Sequence, residues 1–458
     1  MQRHLGPSRR ALEASQRETV WDLMMENKHR LRYDPEHRPD GLIDLSGAVN
    51  TLMADWAEEP SQALSYGSLH GSNQLLSAAA GFFNAFFHPR SPVSAANILA
   101  ANGVTSLFDL AAWAMCEPGD AVLVLTPTFF MLDFHLSLRA GVVMVPLSTE
   151  DLDDPFGETT WPQLLAALDA AADTAIERDS LRCRALIICN PANPQGRCYS
   201  RKSLQALASW CAGRNLHLIS DEIYALSNFA HVHNDADKYK AQGYSPAELS
   251  KSSFCSVLSL AADDEPLAQN LHCFYSLSKD FGMGGLRMGF WVTKNSAILQ
   301  AAATATWFTW ITSFSDHFST NFIKHIDIIG SYLIEYRRRL GAAYLNTIEA
   351  LSEQKIPYTD AEAGLFLYLD LSGWIRFLGE GEDSTLERRL CQLLLDAGVF
   401  VNPGQFSGSR QPGQFRLVFT IDGIAVTMAI HRIREALDNL ERQGRLREAG
   451  SSSGDGQD

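Results

Sequence analysis

Apolar residues along this chain fall into short continuous runs separated by longer segments with helical spacing. Between Ile98 and Lys294 the runs occupy residues 121–125, 142–145, 185–188, 216–219, 272–275 and 288–292. Each is too short for a stable helix and is bounded by Gly, Pro, Asn or Asp. Unbroken runs of this length fit strands buried on both faces of a mainly parallel sheet, so the pattern predicts an α/β domain. In such sheets ligands gather where loops leave the carboxyl ends of the strands. The polar residues just after each run are therefore the ones to read for chemistry.

Other segments read differently. Residues 151–179 are acidic and alanine-rich, with Leu164, Leu165 and Leu168 at helical spacing, which predicts a solvated helix outside the sheet. Residues 231–252 are polar and read as a surface insertion. The longest apolar stretch, 297–314, contains Thr304, Thr306, Thr309 and Thr312. It predicts a buried or subunit-interface helix rather than a membrane span. Beyond residue 321 the pattern changes to a long helix with Tyr332 and Tyr336, a strand at 365–369, a helix at 388–395, a strand at 415–419 and a closing helix at 426–443. The expected organisation is an N-terminal arm (1–45), a large domain (46–320), a smaller α+β domain (321–445) and a disordered low-complexity tail (446–458).

Composition narrows the function classes. At 458 residues with 46% hydrophobic and 20% charged side chains, the chain is an ordinary globular protein. A formal charge of -15 argues against nucleic acid or an anionic membrane as the main partner. Eight cysteines without a C-x-x-C pair predict reduced thiols and a cytoplasmic location, not a disulfide framework or a zinc site. The histidines, among them His70, His88, His135, His217, His231, His233 and His272, show no ligand spacing, so no metal is expected. Basic residues in 1–10 lack an apolar run behind them, which speaks against a secretory signal. Glu13 and Glu18 speak against a mitochondrial transit peptide.

Three clusters carry the chemistry. The first is S276-L-S-K279-D-F-G-M-G-G-L-R287, directly after a strand. A lysine amid serines, glycines and an arginine suits a Schiff-base lysine beside an anion site: hydroxyls and guanidinium hold a phosphate, and glycines let backbone approach. The second is Asp221 in D-E-I-Y224, again at a strand exit. Such an aspartate is often a helix cap, yet beside a pyridoxal lysine it can pair with the ring nitrogen and keep it protonated. The third is N190-P-A-N193-P-Q-G196, a turn with a duplicated Asn-Pro.

In this order, N-P-x-N-P-x-G, D-E-I-Y and S-x-S-K with Arg eight residues later, the clusters resemble the class I/II aminotransferase family, and within it the 1-aminocyclopropane-1-carboxylate (ACC) synthase-like branch. The resemblance covers roughly residues 43–437. It implies pyridoxal 5'-phosphate (PLP) as cofactor, an amino-acid substrate, and the PLP-dependent transferase fold type I with a seven-stranded sheet sandwiched by helices. It implies Lys279 as the cofactor-bearing residue and proton shuttle, Asp221 as partner of the ring nitrogen, and Asn193 and Tyr224 as partners of the ring oxygen. Ser276, Ser278, Arg287, Val104 and Thr105 would hold the phosphate, Phe129 would stack on the ring, and Arg416 would grip the substrate carboxylate. Tyr66 would cross to a neighbouring subunit's phosphate, which implies a homodimer.

The chain also departs from the ACC synthases. Their A-E-N segment is Ala48-Val49-Asn50, their ring-stacking tyrosine is Phe129, and the proline of their K-D-x-G-x-P-G is Gly284. Val49, expected near the substrate, cannot orient an ammonium group, which disfavours cyclopropane formation. Transamination is the leading expectation and carbon–sulfur elimination the alternative. Chains of this type occur in secondary-metabolite pathways with both chemistries. A catalytically retired binding protein is disfavoured because all three clusters are intact.

Overall fold

The computed structural model describes residues 33–45, 68–177, 180–233, 237, 253–262 and 266–452. The strands are β1 (Ile43–Asp44), β2 (Ile98–Ala101), β3 (Ala121–Thr126), β4 (Val143–Ser148), β5 (Cys183–Cys189), β6 (His217–Asp221), β7 (Leu271–Ser276), β8 (Gly289–Thr293), β9 (Tyr358–Thr359), β10 (Phe366–Asp370), β11 (Val399–Phe400), β12 (Asn402–Pro403) and β13 (Gln414–Val418). The helices are α1 (Asn73–Phe86), α2 (Val104–Met115), α3 (Leu132–Ser137), α4 (Trp161–Glu177), α5 (Arg201–Gly213), α6 (Leu277–Asp280), α7 (Ser296–Ala303), α8 (Ser313–Ile323), α9 (Ile326–Glu353), α10 (Ser372–Ile375), α11 (Asp383–Asp396) and α12 (Gly423–Ser452).

Seven strands form one sheet in the order β2-β8-β7-β6-β5-β3-β4. All neighbours run parallel except β8, which is antiparallel to both β2 and β7. Each predicted run is a strand of this sheet, and β2 supplies the seventh. The unbroken hydrophobicity has a direct cause: successive side chains point to opposite faces, and both faces are covered. Val122 and Val124 pack with Leu107, Phe108 and Trp291 on one side. Leu123 and Leu125 join Leu186, Leu218 and Phe290 on the other. The edge strand β4 departs from that expectation, since only β3 flanks it and Val143 is 38% exposed.

The seven-stranded sheet with its covering helices is accompanied by a second, antiparallel sheet ordered β12-β13-β10-β9, with α9, α11 and α12 packed nearby. The start of the described chain is fastened to this C-terminal part. Strand β1 pairs in parallel with β11, and Arg432 Nη1 donates to the Gly41 carbonyl at 2.8 Å.

Three expectations are modified. Residues 297–314 do not form one buried helix: α7 ends at Ala303, a 3₁₀ turn spans Thr306–Phe308, and α8 begins at Ser313. The threonines help to break it, because Thr304 and Thr306 bond back to the carbonyls of Ala301 and Ala303, each at 2.7 Å. Trp307 and Phe308 are left 65% and 75% exposed. At the start of the expected surface insertion, His231 and Val232 are buried in a 3₁₀ turn. Most of the remainder lies outside the described residues. Helix α12 runs to Ser452, into the segment expected to be disordered. Among the described residues, no helix is long and apolar enough to cross a membrane.

Candidate active site

Three neighbouring parallel strands, β5, β6 and β7, end at the same edge of the sheet. Cys189 is in register with Asp221, and Asp221 with Phe274. The ladder continues one step beyond: Asn190 N–H donates to the Asp221 carbonyl, and Glu222 N–H to the Phe274 carbonyl, both at 2.8 Å. The three motifs of the sequence therefore leave the sheet side by side, at the edge where parallel sheets bind ligands.

The antiparallel strand β8 brings a fourth segment to this edge. Ser276 is paired with Gly289, and Gly289 with Ala101, so Arg287 and the start of α2 meet the serines. Ser276 Oγ donates to the Met288 carbonyl, and Ser276 and Ser278 hydroxyls lie 2.7 Å apart. Arg287, in left-handed backbone (φ 52°), donates to the carbonyls of Gly284 and Asn102 at 3.1 and 3.2 Å. Gly103 caps α2 with φ 104° and no side-chain bond, and any side chain on it would collide with the Arg287 guanidinium. Val104 is buried and Thr105 is exposed in the first helical turn. Two hydroxyls, a guanidinium and an uncapped helix N-terminus form a donor set suited to a phosphate dianion.

Lys279 follows on the short helix α6, whose N-cap is Ser276. Its surroundings leave it partly accessible, and burial together with the Arg416 and Arg287 charges lowers its amine to about 8, against the opposing pull of Asp221. Asp221 is buried and accepts from Ile223 N–H at 3.3 Å. Its burial raises the carboxyl to about 7, partly offset by that bond and by Lys279. A cationic ring nitrogen alongside would restore its ionised form.

The second sheet closes the site from the other side. Arg416 on β13 is buried and donates from Nη1 to Asn193 Oδ1 at 2.9 Å, which leaves the amide's Nδ2 as its donor end. The Arg416 guanidinium lies 5.3 Å from the Phe366 ring centroid, and the Tyr224 ring meets the same phenyl edge-on at 5.1 Å. Phe366 thus gathers two expected site residues, one from each part of the chain. Phe129 lies in the turn after β3, against Phe130 at 5.0 Å and His135 at 5.6 Å. Val49 and Tyr66 lie outside the described residues.

Two supporting groups went unread in the sequence. Asp280, next to Lys279, is fully buried and accepts from Leu226 N–H (3.1 Å), Tyr275 (3.0 Å) and the Ser227 hydroxyl. Its own carbonyl accepts from Tyr332 at 2.9 Å, so α9 fixes the turn that carries the lysine. Glu222, next to Asp221, accepts from Ser256 Oγ at 2.6 Å and Val257 N–H at 2.8 Å. An acidic residue adjoining each candidate catalytic group was the available signal. Among the described residues, no group of His, Cys, Asp and Glu is placed to hold a metal ion.

The sequence profile of the family "Aminotransferase class I and II" matches residues 42–433. The chain belongs to that family. Its members' cofactor is pyridoxal 5'-phosphate, and this enzyme depends on it. The chain is 28% identical over 422 residues to 1-aminocyclopropane-1-carboxylate synthase-like protein 1 of Mus musculus, covering 90% of this chain and 79% of that one. It is 29% identical over 419 residues to 1-aminocyclopropane-1-carboxylate synthase 3 of Oryza sativa subsp. japonica, covering 88% of each. Among solved structures, an aspartate aminotransferase from Thermus thermophilus with maleate superposes with a TM-score of 0.68 at 18% identity, over 94% of this chain and 99% of that one. An aromatic aminotransferase from Pyrococcus horikoshii gives 0.67 at 20%, over 88% and 96%. At such identity these two likenesses establish the fold of this aminotransferase-family chain, and no more.

Proposed function

We propose that this enzyme is an aminotransferase acting on an α-amino acid. The observation that carries the reading is the convergence of a lysine whose amine is lowered to about 8 with a buried arginine, Arg416, bound to Asn193. An amine near neutrality at working pH is a competent nucleophile and proton shuttle, and a buried guanidinium is a natural fork for a carboxylate.

PLP supplies an electron sink for the bond broken at the substrate's α-carbon. The chain's residues do the rest. Ser276, Ser278, Arg287 and the first amides of α2, with Val104 and Thr105, hold the phosphate. Asp221 pairs with the ring nitrogen, Asn193 and Tyr224 donate to the ring oxygen, and Phe129 covers a ring face. Arg416 anchors the substrate carboxylate and thereby presents the α-hydrogen. Lys279 would take that proton and hold it for the 1,3-transfer that transamination requires.

Phe129 has no hydroxyl where the ACC synthases carry a tyrosine, and Val49 replaces their glutamate, which argues against cyclopropane formation. Elimination of a sulfur leaving group would use the same residues, and the products separate the two. The test is a half-reaction with amino acids and cysteine conjugates in the absence of an oxo-acid acceptor. Transamination predicts one equivalent of oxo acid per site and a cofactor that stops in its amine form. Thiol and ammonia accumulating over many turnovers, with the starting spectrum restored, would instead assign a lyase.

The same reading includes a homodimer in which Tyr66 serves the partner's phosphate. The exposed Trp307–Phe308 pair supports a partner surface. All eight cysteines are free thiols, in keeping with work in the cytoplasm.

A further inference from the structure

Residues 404–413 form a strap between β12 and β13, and one carboxylate holds both of its ends. Glu387 on α11 is 1% exposed; its Oε1 accepts from Gln405 N–H and its Oε2 from Gly413 N–H, each at 2.8 Å. The middle of the strap lies on the large sheet. The Ser407 carbonyl accepts from Thr128 N–H at 2.7 Å, one residue before Phe129. Gly408 is so close to Thr126 that a Cβ would stand 3.1 Å from its side chain, and Ser409 Oγ donates to Glu150 at 2.6 Å. The strap is also the loop of the hairpin in which Asn402 pairs with Arg416, and Arg416 pairs in turn with Tyr368. It therefore spans from the turn that carries Phe129 to the strand that carries Arg416.

A carboxyl group fills both positions under the strap only when ionised. Each oxygen is then an acceptor, whereas a proton on either one turns that oxygen into a donor facing an N–H. The two N–H groups belong to opposite ends of the strap, so a proton loosens one end whichever oxygen takes it. Burial opposes ionisation and pushes the Glu387 carboxyl up to about 7, against the pull of the Gln405, Gly413 and Gln414 N–H groups; the Glu150 charge adds to the rise. Burial also pushes the facing Cys391 thiol up to about 12 and the Tyr368 hydroxyl well up, so neither ionises near neutrality. The other charged groups around it are Asp370, Arg388 and Arg410, the last paired with Asp151. Since the strap bonds favour the ionised carboxylate, ionisation favours the strap bonds equally. That hold is complete well above pH 7 and is lost as pH falls through 7. The carboxyl lies above the range of a free glutamate, so its ionisation does not stabilise the fold as a whole, and the gain is local to the strap.

We propose that Glu387 is a positioning residue for substrate binding: ionised, it fixes both ends of the strap that leads into β13, and a proton on it frees one end and weakens the hold on an amino acid at Arg416. The half that concerns substrate rests on Arg416 being the carboxylate anchor; the half that concerns the strap does not.

Hydrogen exchange on the holoenzyme tests the strap half, read by fragment mass at Gln405 and Gly413 and corrected for the intrinsic effect of pH. Protection at these amides should fall about tenfold from about pH 8 to about pH 6, following the ionised fraction of one carboxyl that titrates near 7. In Glu387→Gln the amide sets an NH2 donor against one end of the strap, and protection there should be low and independent of pH. The probe for the substrate half is α-aminoisobutyrate, which has no α-hydrogen to lose, titrated against the cofactor's absorbance. From about pH 8 to about pH 6 its dissociation constant should rise about tenfold more in the parent protein than in Glu387→Gln. The ratio removes the pH effects of the probe, Lys279 and Asp221, which both proteins share. Equal protection at the two pH values in the parent protein, a result that needs no variant, would overturn the proposal. So would the same pH dependence of probe affinity in the parent and in Glu387→Gln. Arg416→Met binding the probe as tightly as the parent would instead strike the anchor reading, and the substrate half with it, while the strap result stood.

Discussion

At the scale of single residues, the chemistry turns on the charge balance around Lys279. On the proposed reading, replacing it with alanine would remove the amine assigned to bind the cofactor and move the proton, and turnover should fall to background in an assay of the purified variant. The amine's pKa gives a finer test. Its lowering to about 8 comes from burial, then Arg416, with Asp221 acting in the opposite direction. Only the neutral amine attacks a carbonyl, so the rate at which apoenzyme recaptures PLP should rise about tenfold per pH unit below 8 and level above it. Removing the Arg416 charge, as in Arg416→Met, relieves a like-charge penalty and should move this midpoint upward. Asp221→Asn removes the group that favours the protonated amine and should move it downward. Two variants shifting the midpoint in the same direction would contradict this electrostatic account. Lys279 and Asp221 could be singled out because each closes or follows an apolar strand in a short motif, whereas Arg416, inside β13, was singled out only through the family resemblance. Phe366 was not, since inside a predicted strand an aromatic reads as core whether or not it also seats Arg416 and Tyr224.

Among the elements, the junction of α2 with β8 shapes the edge proposed to hold the phosphate. Gly289 lies so close to Gly103 that an added Cβ would stand 2.7 Å from the Gly103 carbonyl carbon. Gly103 itself has φ 104° and faces Arg287. Gly103→Ala therefore meets two penalties, left-handed backbone strain of about 1–3 kcal/mol and displacement of the guanidinium. We expect a lower melting temperature and PLP affinity reduced by at least about tenfold, the range in which a displaced supporting contact acts. Fluorescence titration of the apoenzyme measures the latter. Affinity equal to that of the parent protein would show that Arg287 can shift without cost. The strands were readable because a fully covered sheet demands uninterrupted apolar runs. Strand β1 was not readable, because two residues pairing with β11 carry too little pattern. The apolar stretch 297–314 misled for a related reason: hydrophobicity without regular spacing does not fix a helix, and threonines bonding back to the preceding turn helped to split it.

Across the whole molecule, contacts between the two parts of the chain join residues hundreds of positions apart, which no local pattern in one sequence reveals. Residues 404–413, between β12 and β13, reach over to the large sheet. Ser407 accepts from Thr128 N–H at 2.7 Å, directly beside Phe129. Ser409 Oγ and Arg410 N–H both donate to Glu150, at 2.6 and 2.7 Å, and Arg410 pairs with Asp151. Glu387 braces the same segment from behind by accepting from the N–H groups of Gln405 and Gly413, both at 2.8 Å. Arg416, the proposed carboxylate anchor, lies three residues beyond that brace, on the strand that the strap leads into. Glu150→Ala would remove the acceptor of Ser409 Oγ and of Arg410 N–H, leaving the Arg410–Asp151 pair and the proposed cofactor residues in place. Two lost charge-assisted bonds at a part-buried site amount to about 1.5–3 kcal/mol each in gross terms, less whatever water restores. If the strap holds Arg416 against bound substrate, steady-state kinetics should show KM for the amino acid raised about tenfold, with kcat and the cofactor spectrum nearly constant. An unchanged KM would mean that the substrate alone holds the two parts together, and that the strap contributes to the resting enzyme only.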